Sequence, residues 1–274
     1  MRLRESGNRA SNEAKSNSNE AENSAPELKT GWVGAGVAET FRTSFAHVRQ
    51  NFDWSAAHAY LFDIDGTLLN SRDAVHYHAF HRAVAQVFGL NFHLDGVPVH
   101  GNTDVGILRA YLENAGVPEH DWGPRLPEVL ELMSAEVERN SAELRPEICP
   151  SVVELIQQLS ARDKLLGVAS GNLERVGWAK LQACGLREYF TFGAFSGKLE
   201  KRDDVIAHGI HQAREIVGNN ARVCVIGDTP ADIRSAHAND VPAVAVATGI
   251  YGVDELLGYD PEVCVSCCDE LLKS

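Results

Sequence analysis

No apolar run in the 274-residue sequence approaches the roughly 18 residues needed to cross a membrane. The N-terminus is rich in Arg, Ser and Asn and lacks the apolar stretch of a secretory signal, so a cytoplasmic protein is expected. Positive charge is also scarce. The net charge is -13, and the first thirty residues carry five basic and five acidic side chains, so the whole negative excess falls on the remainder. Nucleic acid and anionic membranes are therefore not expected partners. The same thirty residues contain no aromatic residue, no valine and no isoleucine, and residues 1–30 are expected to form a disordered tail. There is no internal repeat. The six cysteines do not form a framework: Cys149, Cys184 and Cys224 are isolated in apolar sequence, as suits buried reduced thiols. Cys264, Cys267 and Cys268 cluster without the second ligand pair of a zinc site, and an edge strand and turn are expected there.

What is present suffices for one large domain, or a core with an insertion, since 44% of the residues are hydrophobic. Residues 31–57 are expected as an N-terminal helical extension, with Phe41, Phe45, Val48 and Phe52 on one face. Short apolar runs follow at 59–65, 164–170, 190–195, 222–228, 243–248 and 262–267. They alternate with helical patterns at 151–161, 173–184, 203–217 and 230–239. This order predicts an α/β fold, a Rossmann-like parallel sheet with helices on both faces, built from residues 58–71 and 148–274. Residues 72–147 break the alternation, reading as helices alone over 73–88, 103–115 and 125–140, and are expected as an inserted helical cap.

Parallel sheets of this kind hold ligands at the carboxyl ends of their strands. Asp63 and Asp65 close the first run, and Gly66 permits a turn that brings both carboxylates toward one place. Two such groups repel unless a cation joins them, and a hard divalent ion with oxygen ligands meets that need. A second acidic pair, Asp228 and Asp232, follows the strand at 222–228, with Pro230 placed for the first turn of a helix. Either pair alone would be explained as a turn or helix cap.

Together they carry a resemblance. Asp63-Ile64-Asp65-Gly66-Thr67-Leu68 resembles the first signature of the haloacid dehalogenase superfamily, and Gly227-Asp228-Thr229-Pro230-Ala231-Asp232 resembles its fourth. Ser170-Gly171-Asn172 resembles the second. A helical cap directly after the first signature is the arrangement of the phosphoglycolate phosphatase and beta-phosphoglucomutase branch. The third signature departs from the usual Lys-Pro-x-Pro. Here Lys198-Leu199-Glu200-Lys201-Arg202 precedes a helix expected to start near Val205; counting back from it favours Lys201, with Lys198 and Arg202 left open.

The resemblance implies a phosphatase in which Asp63 attacks phosphorus and becomes an aspartyl phosphate, while Asp65 acts as acid and then base. Mg2+ would be held by Asp63, Asp65 through its main-chain carbonyl, Asp228 and Asp232. Ser170, Gly171 and Asn172 would bind the phosphoryl group, and Lys201 would neutralise charge on it. Asp65 favours ester chemistry over dehalogenation, because an alkoxide leaving group needs a proton. In the cap, His100-Gly101-Asn102-Thr103-Asp104 either faces the substrate or caps a helix, with Thr103 and Asp104 the candidates for substrate contact. His76, His78 and His81 are expected to be partly exposed cap residues. The expected partner is a small phosphorylated metabolite, phosphoglycolate or a sugar phosphate, and the expected state a monomer or homodimer. A phosphomutase and a non-catalytic phospholigand-binding protein are the alternatives.

Overall fold

A computed structural model describes residues 47–273. The expected tail over 1–30, and the extension up to residue 46, lie outside the described residues. In order, the elements are β1 (His47–Val48), β2 (Ala59–Phe62), β3 (Leu69–Ser71), α1 (Val75–Phe88), α2 (Asp104–Asn114), α3 (Glu119–Trp122), α4 (Leu126–Arg139) and β4 (Pro146–Ile148). They continue as α5 (Val152–Ser160), β5 (Leu165–Leu173), α6 (Glu174–Ala183), β6 (Phe192–Ser196), α7 (Arg202–Val217), β7 (Val223–Gly227), α8 (Pro230–Ala238), β8 (Ala243–Val246), α9 (Val253–Leu257), β9 (Val263–Val265) and α10 (Cys268–Leu271).

Seven strands form one sheet in the order β1-β9-β8-β7-β2-β5-β6, parallel throughout except for β1 against β9. The strand period of two sorts the apolar side chains into two layers. Tyr60, Phe62, Cys224, Ile226, Val244 and Val246 join Leu155, Ile156 and Leu159 of α5 on one face. Leu61, Val223, Val225, Ala243 and Ala245 join Val205, Ile206 and Ile210 of α7 and Ile233 of α8 on the other. The helices form because their apolar residues recur at helical spacing: Val152, Leu155, Ile156 and Leu159 make the buried stripe of α5. β2 and β7 lie side by side within the sheet, covered on both faces, so their carboxyl ends are fixed between two buried apolar layers.

Between β3 and β4 the chain is helical. α1, α2 and α4 enclose their own core of Ala79, Phe80, Val84, Leu108, Leu112, Val129, Met133 and Val137, which rests on Leu173 and Val176 of the sheet-bearing part. The base of this insert is a two-stranded antiparallel ribbon, Leu69–Ser71 against Pro146–Ile148, which sequence reasoning missed because three-residue strands of mixed polarity carry no alternation.

The expected extension helix is corrected from residue 47 onward. His47 and Val48 pair with Cys264 and Val263, and Trp54–Ala56 is a short 3-10 turn capped by Asp53. An open sheet edge outcompetes the helical spacing of Val48 and Phe52. For the same reason β9 is not an edge strand, since β1 covers it; Cys267 then caps α10 and Cys268 begins it. None of the six cysteines is disulfide-bonded, and all are buried but the half-buried Cys184.

Ile226, at 0% exposure, lies next to the carboxylates at the centre of the sheet, whereas Ile216 on α7 is 53% exposed. Ile226→Ala should cost about 2–5 kcal/mol of unfolding free energy in chemical denaturation. Ile216→Ala should stay within about 0.5 kcal/mol of the parent.

Candidate active site

The first acidic pair stands where β2 ends. The main-chain N–H of Asp63 still donates to Ile226 O of β7 at 2.9 Å, which holds this residue in the sheet ladder. The chain then turns sharply: Ile64 O accepts from the N–H groups of Leu68 and Leu69, and Gly66 N–H donates to Leu69 O. Gly66 has φ of 87°, and a Cβ there would lie 2.3 Å from Asp228 Oδ2. Only glycine supplies both the backbone conformation and the space.

The second pair stands at the end of β7, the neighbouring strand. Thr67 Oγ1 donates to Asp228 Oδ1 at 3.0 Å, tying the two strand ends together. Thr229 caps α8, and Asp232 accepts from Thr229 N–H at 3.1 Å and from Thr229 Oγ1 at 2.7 Å, a reciprocal capping box. Helix geometry therefore turns Asp232 back toward the strand ends. Asp63, Asp228 and Asp232 bring carboxylate oxygens within 4.8 Å of one another, all three buried.

Two buried cations face these acids. Arg202 is 8% exposed; its Nη2 lies 2.8 Å from Asp63 Oδ1 and its Nε 3.1 Å from Asp232 Oδ1. The expectation for the third signature is corrected here. Lys201 is the extended N-cap of α7 with an exposed side chain, Lys198 is exposed too, and Arg202 is the residue that reaches Asp63. The helix begins three residues before the expected Val205, at Arg202 itself, so counting back from Val205 goes one residue past the inward position.

The second cation was not foreseen. Lys180 lies on the buried face of α6 with Val176, Gly177 and Leu181, and its Nζ donates to Asp65 Oδ1 at 2.9 Å, Asp65 Oδ2 at 2.8 Å and Asn172 Oδ1 at 2.9 Å. The signal available in the sequence was a lysine in register with an apolar helical stripe.

The electrostatics separate the carboxylates. Burial and the nearby charges of Asp232 and Asp65 push Asp63 up to about 6 against the pull of Arg202. Asp228 is driven well above the usual carboxylate range by burial and by the charges of Asp63 and Asp232. Asp65 goes the other way: burial would raise it, but Lys180 and the Asn172 amide hold it below its ordinary value.

β5 extends to Leu173, past the expected end at Ser170, and brings Ser170, Gly171 and Asn172 to the same edge. Ser170 Oγ accepts from Asn172 Nδ2 at 2.8 Å, and the same amide donates to Asp65 Oδ2 at 2.7 Å. The polar turn of the helical insert sits directly on this strand end. A Cβ at Gly171 would lie 2.2 Å from Asn102 O. Thr103 caps α2 by accepting from Gly106 N–H at 3.0 Å, and its hydroxyl donates to Glu200 O. Asp104 Oδ2 accepts from Leu173 N–H at 2.7 Å, and His76 Nε2 lies 3.2 Å from it. Thr103 thus serves as a helix cap and as a contact to the sheet-bearing part at once. His81 Nε2 lies 2.8 Å from Asn91 Oδ1 within the insert.

Removing Arg202 would leave Asp63 and Asp232 buried without their counter-charge. Arg202→Met should lower stability by about 3–5 kcal/mol in metal-free buffer, whereas Lys201→Ala should melt with the parent protein.

The comparisons agree with this geometry. A family model for haloacid dehalogenase-like hydrolases matches residues 60–246. The chain is 26% identical over 219 residues to a phosphoglycolate phosphatase of Synechococcus elongatus, covering 79% of this chain and 96% of that one. It is 25% identical over 207 residues to one of Agrobacterium fabrum, covering 75% and 86%. Among solved structures, CbbY of Rhodobacter sphaeroides in complex with phosphate superposes with a TM-score of 0.59 at 18% identity, covering 78% of this chain and 96% of that one. A predicted phosphoglycolate phosphatase of Haemophilus somnus gives 0.59 at 17% identity, covering 79% and 97%. With the family match spanning both acidic pairs and every strand from β2 to β8, the chain belongs to the haloacid dehalogenase-like hydrolases.

Proposed function

We propose that the protein hydrolyses a small phosphate monoester through an aspartyl phosphate on Asp63, with magnesium as its metal. One observation carries the reading. Asp63 and Asp65, two residues apart at one strand end, each pair with a different buried cation, yet burial and the neighbouring carboxylates push Asp63 up whereas Lys180 and Asn172 hold Asp65 down. Paired groups whose environments push them apart mark a division of catalytic roles. The relatives named phosphoglycolate phosphatase support a small phosphorylated metabolite as the substrate.

The residues fit a hard divalent ion. The cations paired with Asp63, Asp65 and Asp232 among the described residues are Arg202 and Lys180, and the upward shifts of Asp63 and Asp228 express burial together with the mutual repulsion of the carboxylates. Asp63 and Asp228 would hold magnesium, with the Asp65 main-chain carbonyl and Asp232 in support. When bound, the ion offsets the repulsion between an anionic nucleophile and an anionic ester.

This chain's own groups do the rest. An Asp63 carboxylate oxygen bonds to phosphorus as the bond from phosphorus to the ester oxygen breaks, and Asp65 gives its proton to the departing alkoxide. Lys180 lowers the proton affinity of Asp65 in the free site; as the dianionic ester arrives beside it, Asp65 takes up from solvent the proton required by this step, and the proton gained in the next step returns to solvent when phosphate leaves. Water then attacks the phosphorus of the aspartyl phosphate and yields a proton to Asp65. The bond to Asp63 breaks, and inorganic phosphate leaves. Arg202 lies against Asp63 where negative charge passes, and the Ser170 hydroxyl with the Gly171 and Asn172 N–H groups receives phosphoryl oxygens.

The folded-state pKa of Asp228 lies above its ordinary 3.8, so protonation favours the folded form. In metal-free buffer that contribution is present in acid and is lost as pH rises through the folded-state value. Asp228→Asn should therefore raise the melting temperature in chelator at neutral pH, by a margin that shrinks as the solution is acidified. Magnesium should raise the melting temperature of the parent protein at neutral pH and leave Asp228→Asn unmoved.

Turnover of small phosphate esters should require magnesium and vanish in EDTA. Asp63→Asn should abolish it, because an amide is a poor nucleophile. Asp65→Asn should slow it by about 10²- to 10⁴-fold. With an activated aryl phosphate, phosphoenzyme should accumulate on Asp63 in Asp65→Asn, observable by rapid quench and mass spectrometry of the labelled peptide. Steady turnover at the parent rate by Asp65→Asn would remove the acid-base role.

A further inference from the structure

We propose that Lys180 is the positioning residue for the acid-base carboxylate, acting on turnover only through Asp65; the proposal rests on the proton-transfer role given to Asp65 above. Lys180 is 1% exposed, and its neighbours on the buried face of α6 are Val176, Gly177 and Leu181. An apolar side chain would fill that place at no electrostatic cost, while a buried ammonium is costly unless paired and hydrogen-bonded. Its charge therefore needs an account that packing does not give.

The hydrogen bonds supply one. An ammonium has three protons, and all three are committed: two to the two oxygens of Asp65 and one to Asn172 Oδ1. Lys180 keeps no donor for a phosphoryl oxygen. Asn172 closes the triangle, since its Nδ2 donates to Asp65 Oδ2 at 2.7 Å. A carboxylate gripped at both oxygens from one side and at one oxygen from another has little freedom to rotate. Acid-base catalysis depends on such placement, because the carboxyl group must meet first the alkoxide oxygen and then the attacking water.

The other cation is differently disposed. Arg202 touches Asp63, the nucleophile, and Asp232, and comes from α7 rather than α6. The two charges thus serve two carboxylates: Arg202 the one that bonds to phosphorus, Lys180 the one that moves the proton.

The test compares the parent protein, Lys180→Met, Lys180→Arg, Asp65→Asn and the double variant Asp65→Asn/Lys180→Met, all with magnesium. The substrates are an alkyl phosphate and nitrophenyl phosphate. If the parent hydrolyses neither ester, the proposed function fails before Lys180 is tested. Lys180→Met should lower kcat for the alkyl ester by about 10²-fold, the scale of one misplaced proton-transfer group, with KM little changed. It should slow the first step with nitrophenyl phosphate far less, because that leaving group needs no proton. Lys180→Arg keeps the charge but not the geometry, and should lose alkyl-ester turnover with the same leaving-group dependence. In the Asp65→Asn background, Lys180→Met should cost nothing further, since its effect passes through the missing carboxylate. Equal losses in the rate of the first step on both esters, a loss confined to KM, parent-like turnover, or a further loss in the double variant would each overturn the proposal. Should Lys180→Met alone fail to fold, Asp65→Asn against the double variant still decides, because the double variant buries neither charge alone and Asp65→Asn leaves Lys180 bonded to Asn172 Oδ1.

Discussion

Mutual repulsion among four carboxylates at the ends of two neighbouring parallel strands is the constraint on which the rest of this structure depends. Asp63 and Asp65 leave β2, Asp228 leaves β7, and Asp232 is turned back by the first turn of α8. Such a cluster survives only where its supports cannot give way. β2 and β7 are covered on both faces by packed apolar layers, and the strand ends are stapled by the Thr67 hydroxyl. Protein interiors are close-packed and resist displacement, so burial and repulsion together raise the proton affinities of Asp63 and Asp228 while the strands stay in register.

How far this could be read from the amino acids depends on whether local spacing or tertiary geometry decides each feature. The strands containing Leu61, Val225 and Val244, and the helices with stripes such as Val152, Leu155, Ile156 and Leu159, were legible because burial imposes its period directly on the chain. Asp63, Asp65, Asp228 and Asp232 were legible because turns and caps fix them within a few residues of a strand end. The basic partners were not. Arg202 and its neighbour Lys201 differ only in which side of a helix start they face, and that start is set by packing of α7 on the sheet. Lys180 lies eight residues beyond Asn172 and meets Asp65 only because α6 folds back along β5. β1 was hidden for a like reason, its pairing partner lying more than two hundred residues away.

The helical insert and the sheet-bearing part meet at the strand end that holds the phosphoryl-binding candidates. Asp104 binds the N–H of Leu173, Thr103 binds the carbonyl of Glu200, and Arg109 pairs with Glu200 at 2.6 Å. These contacts engage the backbone on both sides of the carboxylate cluster, beside Asn172 and two residues before Arg202. Motion of the insert would therefore be transmitted to the residues that hold Asp63 and Asp65 through covalent neighbours, with no long relay of side chains.

β1 has a bearing on the behaviour of the protein in solution. The ribbon His47–Val48 closes the side of β9, and Arg49 fastens it with its N–H to Glu262 O and its guanidinium to Glu262 and Asp260. Beneath it lies Val263-Cys264-Val265, an apolar segment of high strand propensity. Without those few covering residues, unpaired backbone groups beside such a segment would offer a template for another chain. A proteolytic cut between β1 and β2 would leave the carboxylate cluster in place yet expose an adhesive edge, so the short ribbon guards the protein's colloidal stability more than the geometry of that cluster.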